Sequence, residues 1–434
     1  MTKHSRNAPC PCGSGKKYKK CCLSNDQAEH VSEQLSEPIS KAEVPVSAID
    51  SATPDKLDVF WHAYEKADFN SKLEMIESLI DDPKLHDREI IFEVFNELSE
   101  SAQSQKEHHQ YRAMVDLLKA NLYEQYEKNA NYLLGPCINF LILERDYQAL
   151  KPEFVEYGRF ASQNLDLFFP RADQVAFHGQ TETLRDGYRA GWNAVKNSED
   201  LMPWAINEFA ENGAQLELFM SMQDQPTPAL DKDLIKRTEY FVSLDLDSFK
   251  YYFDILTGKQ TGDWTPEMFD QPVHTLKADQ KQELSEKVSW LTMEFFVYLA
   301  HHAKHPLTRV ELMREELSKY LIKRLVGDLE SRHSGKKSTH NPWARHILCP
   351  DRSTLDTYLS DLMGFMSGRY YRGVALFSSL PHWCDFLKHY SLVESETLDR
   401  ALESIASLSP HLETIFEKRE NDDYALQTLK SAWK

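Results

Sequence analysis

Apolar residues recur at the helical i, i+3, i+4 and i+7 positions over most of the chain beyond residue 55. The rule is clearest in five stretches, at 57–64, 249–256, 310–321, 355–362 and 383–390. Glycine is scarce, at 15 of 434 residues, about half its usual ~7% share. Because so few positions suit the turns of hairpins, and only 242–246 alternates like a strand, we predict an all-α body.

Boundary signals flank several of these helices. The capping-box pairs Thr308 with Glu311 and Ser353 with Asp356 predict helix starts, Pro381 predicts another start, and Gly258 predicts a stop. Residues 57–160 then divide into helices of roughly ten to twenty residues, a common length in globular proteins. We expect irregular, stacked helix pairs, as in an α-solenoid.

Composition divides the chain into further segments. Residues 25–54 are rich in Ser, Glu and Pro, which predicts a flexible polar linker, with a partly helical segment as the alternative. The helical body spans 55–331, a basic loop 332–343, and a last helical segment 344–434. No apolar run approaches the ~18 residues of a membrane span, so none is predicted.

Four of the seven cysteines lie within thirteen residues, as Cys10, Cys12, Cys21 and Cys22. Adjacent cysteines sit about 3.8 Å apart at Cα, too close for an unstrained disulfide, although cross-pairing between the two pairs remains open. The first 22 residues hold no aliphatic run and hence no secretory signal. We therefore expect a cytoplasmic protein, in which such clusters favour metal binding.

Zinc suits this set of residues best. Four thiolates complete a closed tetrahedral shell with no position for substrate, so the single Zn²⁺ would be structural. Glycines at 13 and 15 permit the tight turn that follows Cys12. A segment this short cannot bury a core of its own, so metal binding would order it. The alternative is four free thiols on a disordered tail.

The run RNAPCPCGSGKKYKKCC at 6–22 resembles the SEC-C motif, the zinc-binding tail of the SecA translocase ATPase that also occurs on unrelated bacterial proteins. The resemblance covers about residues 3–24 and implies Cys10, Cys12, Cys21 and Cys22 as zinc ligands. In SecA it implies an interaction module for a secretion chaperone, the ribosome and anionic lipid. The rest of the chain does not resemble the SecA motor.

Charge is distributed unevenly along the chain. Residues 1–22 carry six basic side chains and no acidic one, while the remainder has 44 basic and 68 acidic side chains, a balance of −24. With zinc and four thiolates contributing about −2, the head stays near +4. The residues we expect to bind a partner are Lys16, Lys17, Tyr18, Lys19 and Lys20. Alternatively, the lysines only solvate a small metal domain.

The sequence contains only weak indications of an enzyme active site. SGKKST at 334–339 lacks the first glycine of a P-loop. His301, His302 and His305 contain an i, i+4 pair but no H-E-x-x-H motif. His382 and Cys384 lie two residues apart and point in different directions on a helix. Cysteines 137, 349 and 384 are expected to be buried apolar residues, and we predict that the protein is not an enzyme.

The sequence therefore predicts a zinc-binding adaptor. Its basic head would dock on a ribosome, a translocase or secretion-chaperone component, or an acidic protein, while the helical body holds a second partner. Two alternatives stay open. One is an enzyme in the helical body with the head as its targeting tag, and the other is nucleic-acid binding through the head and the basic loop.

Overall fold

A computed structural model describes residues 56–81, 88–224, 228–271, 275–327, 329, 346–364 and 367–433. In these residues there are 18 α-helices, two short 3₁₀ turns and no strand, so the predicted all-α class is confirmed. Contacts divide the chain into two units, Met1–Ala63 and Tyr64–Lys434.

Most of the helices follow one another after only a few residues. In the first half they are α1 Lys56–Lys66, α2 Phe69–Asp81, α3 Arg88–Ser101, α4 Gln105–Asn121, α5 Tyr123–Glu144, α6 Tyr147–Arg159, α7 Leu165–Phe177, α8 Thr181–Lys196 and α9 Pro203–Asp224. In the second half they are α10 Lys232–Glu239, α11 Leu246–Leu256, α12 Ala278–His302, α13 Leu307–Val326, α14 Arg352–Leu362, α15 Tyr370–His389, α16 Ser395–Ala406, α17 Ser409–Arg419 and α18 Asp423–Ala432.

Stacked helix pairs describe α2 to α9. Each helix in this part packs on the next one or the next but one: α4 on α5, α5 on α6, α6 on α8, and α8 on α9. The α6–α8 contact is close because glycines meet there. A Cβ added to Gly158 would collide with the Gly187 carbonyl, and one added to Gly191 would collide with the Gly158 carbonyl. Small residues thus bring the two helix backbones together.

The second half returns to the first instead of extending the row. Helix α13 packs against α7, α12 and α15, while α15 packs against α7 and α18. Helix α7 is therefore central, and nine of its thirteen residues are buried. The predicted segments 55–331 and 344–434 pack together through α13 and α15. Loop 332–343, head 1–24 and linker 25–54 lie outside the described residues.

Three predicted helix boundaries are wrong. Helix α13 begins after Pro306, since the Thr308 hydroxyl donates to the Ala176 carbonyl on α7 at 2.7 Å instead of capping. Helix α14 is capped by Asp351, which accepts from Thr354 N, and not by Ser353. Pro381 lies inside α15. The predicted stop at Gly258 is confirmed, with φ +69° two residues beyond α11.

Residues 242–246, the one stretch that alternates like a strand, form a bend and loop that lead into α11. The loop follows α10 and supplies one wall of the pocket described below. In the described part of the chain, no helix is both long and apolar enough to cross a bilayer.

Candidate functional site

The sequence-predicted zinc ligands and contact residues lie outside the described residues. They are Cys10, Cys12, Cys21, Cys22, Lys16, Lys17, Tyr18, Lys19 and Lys20. The SGKKST segment is outside as well. The site that the structure does describe lies in the helical body.

The histidine cluster is not arranged as a metal site. Helix α12 ends at His302, so His305 falls beyond the helix and the i, i+4 pairing with His301 is lost. His305 instead lies beside His382, with ring centroids 5.9 Å apart. Burial, with help from Arg309 and His382, lowers the pKa of His305 to about 4. Among the described residues, no group of three or more His, Cys, Asp or Glu side chains could hold a metal ion.

The three cysteines of the body are buried and free, as the sequence predicts. All three are 0% exposed. Burial raises the pKa of Cys349 to about 12 and that of Cys384 further above its ordinary value. Because the thiolate is the nucleophilic form, these thiols are inert in the folded protein, and Cys384 with His382 does not form a catalytic pair.

A buried arginine forms the centre of the body. Arg372 on α15 is 4% exposed. Its Nε donates to Asp173 Oδ1 on α7 at 2.8 Å, and its Nη1 donates at 2.7 Å to both Glu315 Oε2 and Glu316 Oε1 on α13. One guanidinium thus joins three helices through three carboxylates, a geometry suited to its planar fork of donors.

Further groups complete this cluster. Arg369, just before α15, donates through Nε and Nη2 to Asp173. The Tyr358 hydroxyl on α14 donates to Glu316 Oε2 at 2.6 Å. Burial by itself would raise the pKa of Glu315, but the Arg372 and Lys319 cations hold it well below its usual range. Glu315 therefore stays charged at neutral pH.

Next to this cluster, α13 presents Glu311, Arg314 and Glu315 at i, i+3 and i+4, which places them on one helix face. Arg314 forms a fork with Glu311: Nε donates to Oε2 at 2.9 Å and Nη2 to Oε1. Glu315 accepts from Lys319 Nζ at 2.5 Å as well as from Arg372. All three residues line a pocket.

The pocket lies between α9, α11, α13 and the loop after α10, and has a volume of about 460 Å³. That size falls within the range of small-molecule sites, about 300–1,000 Å³. Apolar side chains cover most of its wall, including Leu218, Val242, Leu244 and Phe249. Four of its lining residues are acidic and one, Arg314, is basic.

Two groups of the pocket have altered titration. The Tyr252 hydroxyl accepts from Gln215 Nε2 at 3.2 Å, and burial with the nearby Glu311 raises the pKa of Tyr252 to about 12. Glu211 stands exposed on α9, yet partial burial and repulsion from Glu208 and Glu315 raise the pKa of its carboxyl. The nearby Lys319 cation offsets this rise only in part.

A second cavity of about 50 Å³ adjoins this pocket through shared residues Glu311 and Glu315 and reaches Asp173 and Arg372. It has room for a few water molecules. The main pocket and the arginine cluster thus adjoin each other along α13.

Reasoning from sequence missed this site. The available signal was the charge pattern of α13, in which Glu311, Arg314 and Glu315 interrupt the apolar positions, and Arg372 within the apolar run YYRGVALF. A charged residue at a buried helical position needs a buried partner. The partners are remote in sequence, however, since Asp173 precedes Arg372 by 199 residues.

Comparison with known proteins identifies one segment of the chain. The SEC-C motif model matches residues 6–24. SecA of Desulforudis audaxviator is 72% identical over 25 residues, which are 6% of this chain and 3% of that protein. An uncharacterised protein, YccF, of Bacillus subtilis is 86% identical over 22 residues, 5% of this chain and 6% of its own.

A UPF0225 protein of Photorhabdus laumondii is 94% identical over 17 residues, 4% of this chain and 11% of its own length. The chain therefore spans at most about a tenth of these three relatives. No solved structure matches. The resemblance stated from sequence is confirmed: residues 6–24 carry a SEC-C motif, which can bind zinc, and the helical body is attached to it.

Proposed function

We propose that this protein is a zinc-dependent adaptor that acts through binding and not as an enzyme. Its SEC-C head would dock on an acidic partner such as a ribosome, translocase or secretion-chaperone component, and its helical body would hold a second partner. The observation that carries this proposal is the SEC-C motif at residues 6–24. SecA, a protein translocase subunit, carries a closely similar segment.

The donor set of the head fits structural zinc. Cys10, Cys12, Cys21 and Cys22 supply four sulfurs, and four thiolates bind Zn²⁺ in a closed tetrahedron. When bound, the metal would order the segment and do no chemistry. Cysteines 137, 349 and 384 are free in the body, which agrees with a reducing cytoplasm as the protein's location.

The head and the remainder of the chain carry opposite net charge, which supports separate binding roles for them. The head has six basic and no acidic side chains in residues 1–22, against a balance of −24 in the rest. A basic head attracts acidic proteins and phosphate-rich surfaces. The acidic pocket along α13, which includes Glu211 at its edge, would instead accept a basic segment of a second partner.

The experiment is affinity capture by the full chain and by a variant in which Cys10, Cys12, Cys21 and Cys22 are serine. We expect about one zinc per wild-type chain and none in the variant, with the helical content of both unchanged. Head-dependent partners should disappear from the variant. An identical set of partners for both proteins, at equal loading, would contradict the proposal.

A further inference from the structure

A separate cavity lies at the C-terminal end of α12. It has a volume of about 310 Å³ and is bounded by the last turns of α12, the end of α15 and the segment 257–261. The side chains that matter for its chemistry are Glu294, Tyr298, His302, His389 and Tyr390. It shares no lining residue with the pocket along α13.

Glu294 is the charged group at the base of this cavity. It is 7% exposed. Its Oε1 accepts hydrogen bonds from Gly262 N at 2.6 Å and from the indole Nε1 of Trp264 at 2.8 Å. Its Oε2 is buried without a hydrogen-bond partner. Within the described part of the chain, no Lys, Arg or His forms a salt bridge with this carboxylate.

A buried carboxylate with an unused oxygen is costly. An ionised group taken out of water loses its solvation and recovers the loss only by pairing. Burial raises the pKa of Glu294, and the Gly262 and Trp264 hydrogen bonds offset that rise only in part. Glu294 thus keeps one carboxylate oxygen without a hydrogen-bond partner in the lining of this cavity.

Aromatic rings flank the cavity. Tyr298 stacks on His302 with ring centroids 4.3 Å apart, and Tyr390, 42% exposed, lies against His389 at 4.9 Å. Tyrosine faces attract cations through the negative potential of the ring. Asp385 adds a further negative charge that, after burial, raises the pKa of Tyr298.

We propose that this cavity binds a primary alkylammonium group, either of a small amine or of a lysine side chain. The ammonium would donate to Glu294 Oε2, and its alkyl chain would lie between the tyrosine rings. A quaternary ammonium has no N–H to satisfy that oxygen, and an anion would face the Glu294 carboxylate.

A metal ion suits the cavity less well than an ammonium group. His301 and His302 are consecutive on α12 and point apart, and the His302 Nδ1 already lies 2.9 Å from the Tyr298 carbonyl. The described residues here form no metal-binding group.

Trp264 provides a reporter inside the full-length protein, because its indole N–H shares the Glu294 carboxylate. The N–H resonance is assigned by comparison with Trp264→Phe and followed during titration with n-pentylamine and with the peptide acetyl-Gly-Lys-Gly-amide. We expect a saturable shift with at least one of them. Pentylamine alone would indicate a small-amine site, and both would indicate that a lysine residue also fits.

Three variants and one altered peptide complete the test. Glu294→Gln keeps an amide oxygen for Gly262 and Trp264 but removes the charge, and should weaken binding at least about tenfold. Tyr390→Leu should weaken it a few-fold. Glu283→Gln, on the solvent side of the same helix, should change nothing.

The same peptide with its lysine acetylated should not bind. The proposal is overturned by the absence of saturable binding of either probe. It is also overturned if the acetylated peptide binds equally well, or if Glu294→Gln binds as tightly as wild type.

Discussion

Arg372 Nε lies 2.8 Å from Asp173 Oδ1, and this hydrogen bond joins α15 to α7 across 199 residues of sequence. The same guanidinium also contacts Glu315 and Glu316 on α13. Burying an arginine is tolerable only when carboxylates surround it. The cluster therefore fixes how the second half of the body sits on the first, and one of its members, Glu315, also lines the pocket along α13.

Replacing Arg372 with methionine should destabilise the body strongly. The change leaves Asp173, Glu315 and Glu316 without their shared cation in a buried site, and breaking a buried ion pair costs about 3–5 kcal/mol. Chemical denaturation monitored by circular dichroism measures the change in unfolding free energy. Arg159→Met is the matched control: that arginine is 63% exposed, so its surface pair with Glu156 should be worth at most about 1 kcal/mol. Equal losses for both variants would contradict the role assigned to Arg372.

The stability of the body should fall at acid pH, because the Asp422 carboxylate becomes protonated there. Its Oδ2 lies 2.7 Å from His178 Nε2 and accepts from the Tyr371 hydroxyl at 3.0 Å. Burial alone would raise the pKa of Asp422, but these hydrogen bonds lower it below its ordinary value. A lowered folded-state pKa means that the stabilisation is present above the unfolded pKa of about 3.9 and disappears as pH falls through the folded pKa.

Asp422→Asn isolates this effect, because its Oδ1 can still accept from Tyr424 N and Ala425 N at the start of α18. At neutral pH the variant should be less stable by about 1.5–3 kcal/mol, the value of a hydrogen bond to a charged group. The gap should close as pH falls below about 4. A gap that stays constant from neutral to acid pH would show that the charge of Asp422 is not the cause.

Thiol counting should separate the head from the body. Cysteines 137, 349 and 384 are fully buried, so a thiol reagent should not modify them in the native protein. After a chelator removes zinc, four thiols should react, and three more only after unfolding. With Cys10, Cys12, Cys21 and Cys22 changed to serine, no thiol should react before unfolding. Early reaction of a fifth thiol in the wild type would contradict the packing of the body.

Charge reversal at the edge of the α13 pocket should affect partner binding and not folding. Glu211 is exposed, and its pKa is raised by partial burial and by its acidic neighbours, so Glu211→Lys relieves repulsion. Partners that the body holds through a basic segment should be captured several-fold less, as expected for like charges brought together. Glu283→Lys, on α12, is the control. Unchanged capture by the Glu211 variant would show that the pocket along α13 does not bind a basic segment of a partner.

Sequence patterns predicted the fold class because helical periodicity is a local property that survives in a helix packed on any partner. They failed where a residue had two competing uses. Thr308 could cap α13 but donates to Ala176 on α7, and Glu311, the other half of that capping box, pairs with Arg314. Pro381 reads as a helix start, yet packing holds α15 continuous through it.

The candidate site divides in the same way. The four cysteines of the head could be read directly as a candidate zinc site, because they are close together in sequence. Glu294 and its cavity could not, since the groups that bury it, at Gly262 and Trp264, are about 30 residues away. No spacing rule links such positions before the fold is known.

We propose that the basic SEC-C head binds its partner through its charge while zinc maintains its structure. The direct measurement is partner capture by a variant with Lys16, Lys17, Lys19 and Lys20 changed to glutamine, between about 50 and about 200 mM salt. We predict full zinc content, sharply reduced capture at every salt concentration, and a weaker salt dependence than that of the wild type. A variant that keeps its zinc and captures every wild-type partner equally well at all salt concentrations would contradict binding through the charge of the head.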